Sequence, residues 1–262
     1  MVKSVEICGI RGNDFMFPIL QLGPFAIQVP GLLLLAGVWV GLWLAEREAA
    51  RLHLSPEAIY NLAFTGLMAG VVGARLAYAA RYASVYVSDP LGILSLNPAT
   101  LAPTEGALIG LVAAMVYGAR RKLALRPTFD ALAPALAVVM IALALAHLAS
   151  GEAFGAPARL PWSIYLWDEY RHPAQVYELV GALGVLGAWG WARGRETFAG
   201  FNFLLVVALS SAARVFLEAF RGDSVLLPGG LRAAQVAGLV VLAACLVMMR
   251  RWSGHAMTAP TD

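Results

Sequence analysis

The feature that most constrains this chain is a succession of apolar stretches of membrane length. A helix needs roughly 17 to 25 residues to cross the hydrocarbon core. Seven candidates near that length follow one another, at about 30–46, 57–80, 106–120, 130–149, 173–192, 199–219 and 232–249. Composition agrees: 60% of residues are hydrophobic and 13% charged, against roughly 25% charged in an ordinary soluble domain. The mean hydropathy is +0.72. The expected fold is an all-α integral membrane protein of seven transmembrane helices.

Before the first stretch comes "MFPILQLGPFAIQVPG", which is apolar but carries Pro18, Pro24 and Pro30, so it cannot form one regular helix. A segment lying along the membrane surface is expected there. It has neither the basic start nor the continuous apolar core of a cleaved signal peptide, so the N-terminus is expected to be retained. The resulting division is an extracytoplasmic or interfacial arm at 1–29, a helical domain at 30–250 and a cytoplasmic tail at 251–262.

A net charge of +3 and a pI near 9.0 do not point to nucleic acid, because the basic residues lie between apolar runs rather than in one block. They read as topology signals instead. With seven spans, one face receives Arg47, Arg51, Arg120, Arg121, Lys122, Arg126, Arg193, Arg195, Arg250 and Arg251. The other receives Lys3, Arg11, Arg81, Arg159, Arg171, Arg221 and Arg232. Basic loops accumulate inside, so the N-terminus is expected outside and the C-terminus in the cytoplasm. Cys8 and Cys245 stand far apart, with no spacing that suggests a disulfide framework or zinc site. Soluble-enzyme signatures for serine hydrolases, zinc proteases, phosphate loops and dinucleotide folds are absent. Neither a metal nor an organic cofactor is implied. Small residues at four-residue spacing in "GVWVG", "GLMAG" and "GALIG" predict close helix packing in lipid.

Polar groups within or beside the spans are costly and therefore informative. Arg75 lies in "GARLAYAARY" and Arg214 in "SSAARVFLEAFR". Arg75, Tyr78 and Tyr82 fall at i, i+3 and i+7, and Arg214, Glu218 and Arg221 at i, i+4 and i+7, so each set is expected on one helix face. "YRHPAQVYE" repeats the pattern with Arg171, Gln175 and Glu178, and Pro173 suits a first helical turn. By the assigned topology Arg75, Tyr78, Glu105, His147, Glu152, Arg171 to Glu178 and Arg214 to Arg221 all fall in the outer half of the membrane. Arg81, Arg159 and Arg232 are expected to anchor helix ends by snorkelling.

These motifs resemble those of the prolipoprotein diacylglyceryl transferases. "RHPAQVYE" is similar to that family's Arg-His-Pro-x-Gln-x-Tyr-Glu block, and "SAARVFLEAFR" to its sixth-span Arg-(x)3-Glu-(x)2-Arg stretch. "GARLAYAARY" resembles its Gly-Gly-Arg-x-x-Tyr segment, and "LGPFAIQVPGLLLLAG" its N-terminal Gly-Pro-(x)6-Gly-Leu segment. The likeness runs from about Phe17 to Arg250. At several positions the chain departs from the family pattern. Glu105 stands where the family has a histidine, Ala144 replaces the signature arginine, His147 and Ser150 replace two asparagines, and Pro30 replaces a tyrosine.

The resemblance implies a bacterial inner-membrane enzyme that moves the diacylglyceryl group of phosphatidylglycerol onto the cysteine thiol of a lipoprotein precursor's signal peptide. It implies Arg214 as the phosphate ligand with Glu218 holding its fork, and Arg75 and Arg171 as further anion binders. Glu105 is the favoured base and His147 its rival, although a lone histidine on an apolar face is equally read as hydrogen-bonded structure. Glu152 and Glu178 would orient arginines, and Tyr78 and Tyr177 would donate to headgroups. His172, Gln175 and Arg221 complete the expected lipid-binding set. A monomer is expected. Two other readings stay open: a related lipid-group transferase with another donor or acceptor, and a lipid-binding protein without catalysis.

Overall fold

The computed structural model describes residues 19–22, 25–88, 90–94, 100–195 and 197–256. Lys3, Cys8, Arg11 and the tail from 257 onward therefore lie outside the described residues. Two compact units are distinguished: one formed by the chain up to Ala45 and from Phe129 onward, the other by Glu46–Thr128.

Where the prolines exclude a regular helix, the arm forms a hairpin. Strands β1 (Ile19–Leu22) and β2 (Phe25–Gln28) pair antiparallel, with Ile19 opposite Gln28 and Leu22 opposite Phe25. Helix α1 (Val29–Arg51) follows directly and carries Pro30 in its first turn, where a missing N–H costs nothing. Its C-terminal turn runs past the expected end at 46. Glu48 is buried there and accepts from the Arg51 side chain at 2.5 Å. In the larger unit α1 packs against α5 (Leu125–Ser150) through Gly41, where an added Cβ would lie 3.3 Å from the Ala135 Cα.

The smaller unit is organised by α2 (Pro56–Arg81) and α4 (Pro103–Arg120), with a short α3 (Ala83–Ser88) and a 3-10 turn (Pro90–Leu94) between them. Ser55 caps α2, its Oγ accepting from the Ala58 N–H at 3.2 Å, and Pro56 takes the first helical position. The glycine spacing read from the sequence becomes main-chain contact. A Cβ at Gly110 would meet the Gly66 carbonyl oxygen at 2.5 Å, and one at Gly106 the Gly70 oxygen at 2.6 Å.

In the larger unit α5 leads through a β3–β4 hairpin (Ile164–Leu166 and Glu169–Arg171) into α6 (Ala174–Ala192). Then come α7 (Phe201–Leu217), a 3-10 turn (Glu218–Phe220) and α8 (Ala233–Ala256). Ala133 and Ala137 of α5, Val185 and Trp189 of α6 and Val206 of α7 form a buried core. Asp130, itself buried, accepts from the Gly200 N–H at 2.5 Å and the Phe203 N–H at 2.9 Å. A side chain from another helix thus satisfies the open donors at the start of α7.

Among the described residues five helices are long and apolar enough to cross a membrane: Val29–Arg51, Pro56–Arg81, Leu125–Ser150, Phe201–Phe220 and Ala233–Gly254. Helices α4 and α6, with 18 and 19 residues, occupy the third and fifth expected spans. Large apolar side chains such as Leu35, Trp39, Val72, Leu108, Val180 and Val240 face outward, while alanines dominate the buried set. That distribution suits a solvent of lipid tails. The molecule is a helical membrane protein.

Candidate functional site

In the larger unit one carboxylate gathers polar side chains from α5, from α7 and from the turn that follows α7. Glu178, in the second turn of α6, places Oε2 3.1 Å from His147 Nδ1 near the end of α5. Its Oε1 accepts from Arg221 Nη1 at 2.6 Å and lies 3.4 Å from Arg214 Nη1 of α7. Arg214 also meets Glu218 Oε2 at 3.1 Å, one helical turn on. Arg221 forms a two-point fork on Asp223, at 2.9 and 2.7 Å, a strong geometry for guanidinium and carboxylate. Arg232 donates to the main-chain oxygens of Glu218 and Arg221 and, at 3.0 Å, to Ser224 Oγ.

The two central arginines differ in what they leave open. The Arg221 side chain is 10% exposed and is engaged on both edges, whereas that of Arg214 is 42% exposed. Of the two, the buried guanidinium is that of Arg221, although Arg214 is the one placed within a span. Arg221 lies just past the end of α7. Burial works against its charge, but Asp223 and Glu178 outweigh burial and hold it above its ordinary value. The expected helical stripe also breaks here. Glu218 opens a 3-10 turn and Arg221 is extended, with φ −81° and ψ 141°, so the turn folds Arg221 back onto Glu178.

Arg171 departs from its expected place as well. It sits on β4, before α6 begins, and its guanidinium donates to the Leu166 and Gly155 carbonyls at 3.1 and 3.3 Å, pairs with Glu169 at 2.9 Å and lies over the Phe154 ring. It ties the hairpin to the segment after α5. Gln175 is buried and donates to the Glu152 main-chain oxygen at 2.8 Å, while the Glu152 side chain is exposed. Tyr177 accepts from the Trp162 indole at 2.8 Å, stands 3.5 Å from His172 Nδ1 and packs edge-on against Phe220.

The other expected residues lie in the smaller unit. Arg75 donates to the Ile93 carbonyl at 2.8 Å, the Gly92 carbonyl at 2.6 Å and the Thr100 carbonyl at 2.7 Å, and also bonds the Thr100 hydroxyl. Main-chain oxygens fill the fork that was expected to hold an anion. Tyr78 stacks at a tilt on Tyr82, with ring centroids 4.7 Å apart. Glu105 pairs with Arg81, and both are exposed, at 37% and 58%. Arg81 therefore has a carboxylate partner rather than a purely snorkelling role, and Arg232 is likewise a cross-link among loop carbonyls. Sequence reasoning missed Asp223, Trp162 and the partners of Arg75. Asp223 follows Arg221 by two positions in a loop, a spacing with no periodic signal, and carbonyl acceptors leave no trace in side-chain identity.

Membrane-length helices and a half-exposed arginine braced by the buried Glu218 and the part-buried Glu178 define a class: helical integral membrane proteins with a charged cluster among their helices. The sequence model of the prolipoprotein diacylglyceryl transferase family matches residues 18–251, and the chain belongs to that family. It is 34% identical to the phosphatidylglycerol-prolipoprotein diacylglyceryl transferase of Geobacillus kaustophilus, over 93% of this chain and 95% of that protein. Proteins of the same name from Synechococcus elongatus and Corynebacterium glutamicum are 31% and 26% identical, over 86% and 87% of this chain and 83% and 79% of theirs.

Proposed function

We propose that this chain transfers the diacylglyceryl group of phosphatidylglycerol to the cysteine thiol of a lipoprotein precursor in the bacterial inner membrane. The observation that carries the reading is Arg214: a guanidinium steadied by Glu178 at Nη1 and Glu218 at Nη2 in a side chain that stays 42% exposed. Such a fork suits the two free oxygens of a phosphodiester. In the transfer, the thiol sulfur bonds to the terminal glyceryl carbon and the carbon–oxygen bond to phosphate breaks. The glycerol phosphate that leaves gains charge, which Arg214 offsets in a site poor in water.

All seven long helices cross the membrane in this reading, α4 and α6 included, with the N-terminus outside and the C-terminus inside, as the distribution of Lys and Arg supports. The arm at 1–29 and the tail from 251 flank them. Arg221, Asp223 and Arg232 set the position of Glu178 and Glu218, while Arg171, Gln175, His172 and Tyr177 shape the loop wall beside them. Arg75 shapes the loop before α4. The working unit in this reading is a monomer.

The test is incubation of the purified protein in phosphatidylglycerol vesicles with a lipobox peptide, followed by mass spectrometry for the thioether product. Wild type should form it, Arg214→Ala should not, and Arg214→Lys should lose most of the rate, because an ammonium does not reproduce the planar fork. An Arg214→Lys rate equal to wild type would overturn the fork argument.

A further inference from the structure

We infer that His147 is the group that takes the proton from the acceptor thiol, with Glu178 holding it in the required tautomer; this rests on the transferase reading above. The geometry starts from Glu178. With Oε2 3.1 Å from His147 Nδ1, the neutral ring is best served by a proton on Nδ1 that it donates to the carboxylate. The lone pair is then on Nε2, at the opposite edge of the ring. This is the division of labour of a histidine–carboxylate pair in acid–base catalysis: the carboxylate fixes the tautomer and stabilises the imidazolium that forms.

Three further observations support His147 in that role. The side chain is 20% exposed, so a substrate can reach it, whereas Glu218 at 2% is closed off. The same Glu178 carboxylate bonds Arg221 and touches Arg214, so proton acceptor and phosphate ligand share one rigid support. Glu105, the other candidate, has its carboxylate on the exposed Arg81 guanidinium, a contact that provides no orienting group for a base. The charged group in contact with the His147 ring is Glu178 of α6, which links it to Arg214 and Arg221 and, through those two arginines, to Glu218 and Asp223.

The step balances without another reactant. The thiol proton passes to Nε2 as the sulfur–carbon bond forms. The electron pair of the breaking carbon–oxygen bond leaves with the phosphate. The imidazolium then returns its proton to a phosphate oxygen, which regenerates neutral His147 and releases glycerol phosphate.

The experiment measures kcat and KM for transfer from phosphatidylglycerol vesicles to a lipobox peptide between pH 6 and 10, in wild type, His147→Asn and His147→Ala. A general base contributes on the order of 10²- to 10⁴-fold, so His147→Asn should lose that much in kcat with KM for the phospholipid unchanged. Its residual rate should climb toward the thiol's own pKa of about 8.5, above which the acceptor no longer needs a base. Added imidazole should restore part of the His147→Ala rate, which also shows that this variant is folded. If wild type transfers but His147→Asn keeps its kcat and pH profile, or loses only KM, the base assignment falls and the transferase reading stands. If wild type transfers nothing, that reading falls and takes the inference with it.

Discussion

Glu178→Gln is the most telling single change, because one carboxylate serves three partners and the amide can satisfy only some of them. Glu178 has Oε1 2.6 Å from Arg221 and 3.4 Å from Arg214, and Oε2 3.1 Å from His147. The amide replaces one acceptor oxygen by a donor. Turned toward Arg221 and Arg214, its NH₂ would face two guanidiniums; turned toward His147, it would donate to Nδ1. The second orientation avoids the cations and is expected. Nδ1 must then be the acceptor, the ring proton moves to Nε2, and His147 can no longer take a proton there.

The charge-assisted bond to Arg221 weakens in either orientation. Such bonds contribute about 1.5 to 3 kcal/mol, and the Arg221 fork on Asp223 remains, so a stability loss of about 2 kcal/mol is expected. Activity should suffer far more: on the order of 10³-fold or greater in kcat, the scale of a wrong histidine tautomer in acyl-transfer enzymes. Thermal unfolding in detergent and vesicle transfer assays measure the two separately. A Glu178→Gln protein within threefold of wild-type kcat would refute the tautomer argument. A variant that merely unfolds at the assay temperature would be recognised from its melting curve and reassayed below it.

Asp130→Ala should destabilise the protein by about 3 kcal/mol, since it removes two acceptor contacts, to Gly200 and Phe203, and leaves buried N–H groups unpaired; an unchanged melting temperature would count against the cross-helix cap. Gly110→Ala should lower folded yield sharply, because its Cβ would fall 2.5 Å from a main-chain oxygen. Gly187→Ala, where nothing lies within 4 Å, should be silent. Equal yields from the two alanine variants would contradict the close α2–α4 approach.

The helices were legible because lipid thickness fixes their length and leaves polar punctuation between them. Helix α2 begins at Pro56 and α4 ends at Arg120, each within a few residues of the span read from hydropathy. Legibility failed where a helical pattern was carried beyond its helix. Arg221 and Arg171 fit an i, i+7 face on paper, but one follows a 3-10 turn and the other sits on β4. Their arrival beside Glu178 or the hairpin carbonyls depends on turns that the periodicity does not encode. Arg75 shows a second limit: a charged residue inside a span announces that it needs partners, yet not whether those partners are a ligand or the main chain. The buried Glu48 and Asp130 were passed over because each lies at a helix end, where a carboxylate ordinarily meets water.

The glycine contacts between α2 and α4 close that seam to a fatty tail. With the Gly66 and Gly70 backbones set directly against Gly106 and Gly110, this seam has no side chains that could swing aside, and a methylene chain could slip through only by prising two backbones apart. It behaves as a wall and not as a door. A photoreactive acyl probe carried in the surrounding bilayer should therefore leave Gly66, Gly70 and Gly110 unlabelled.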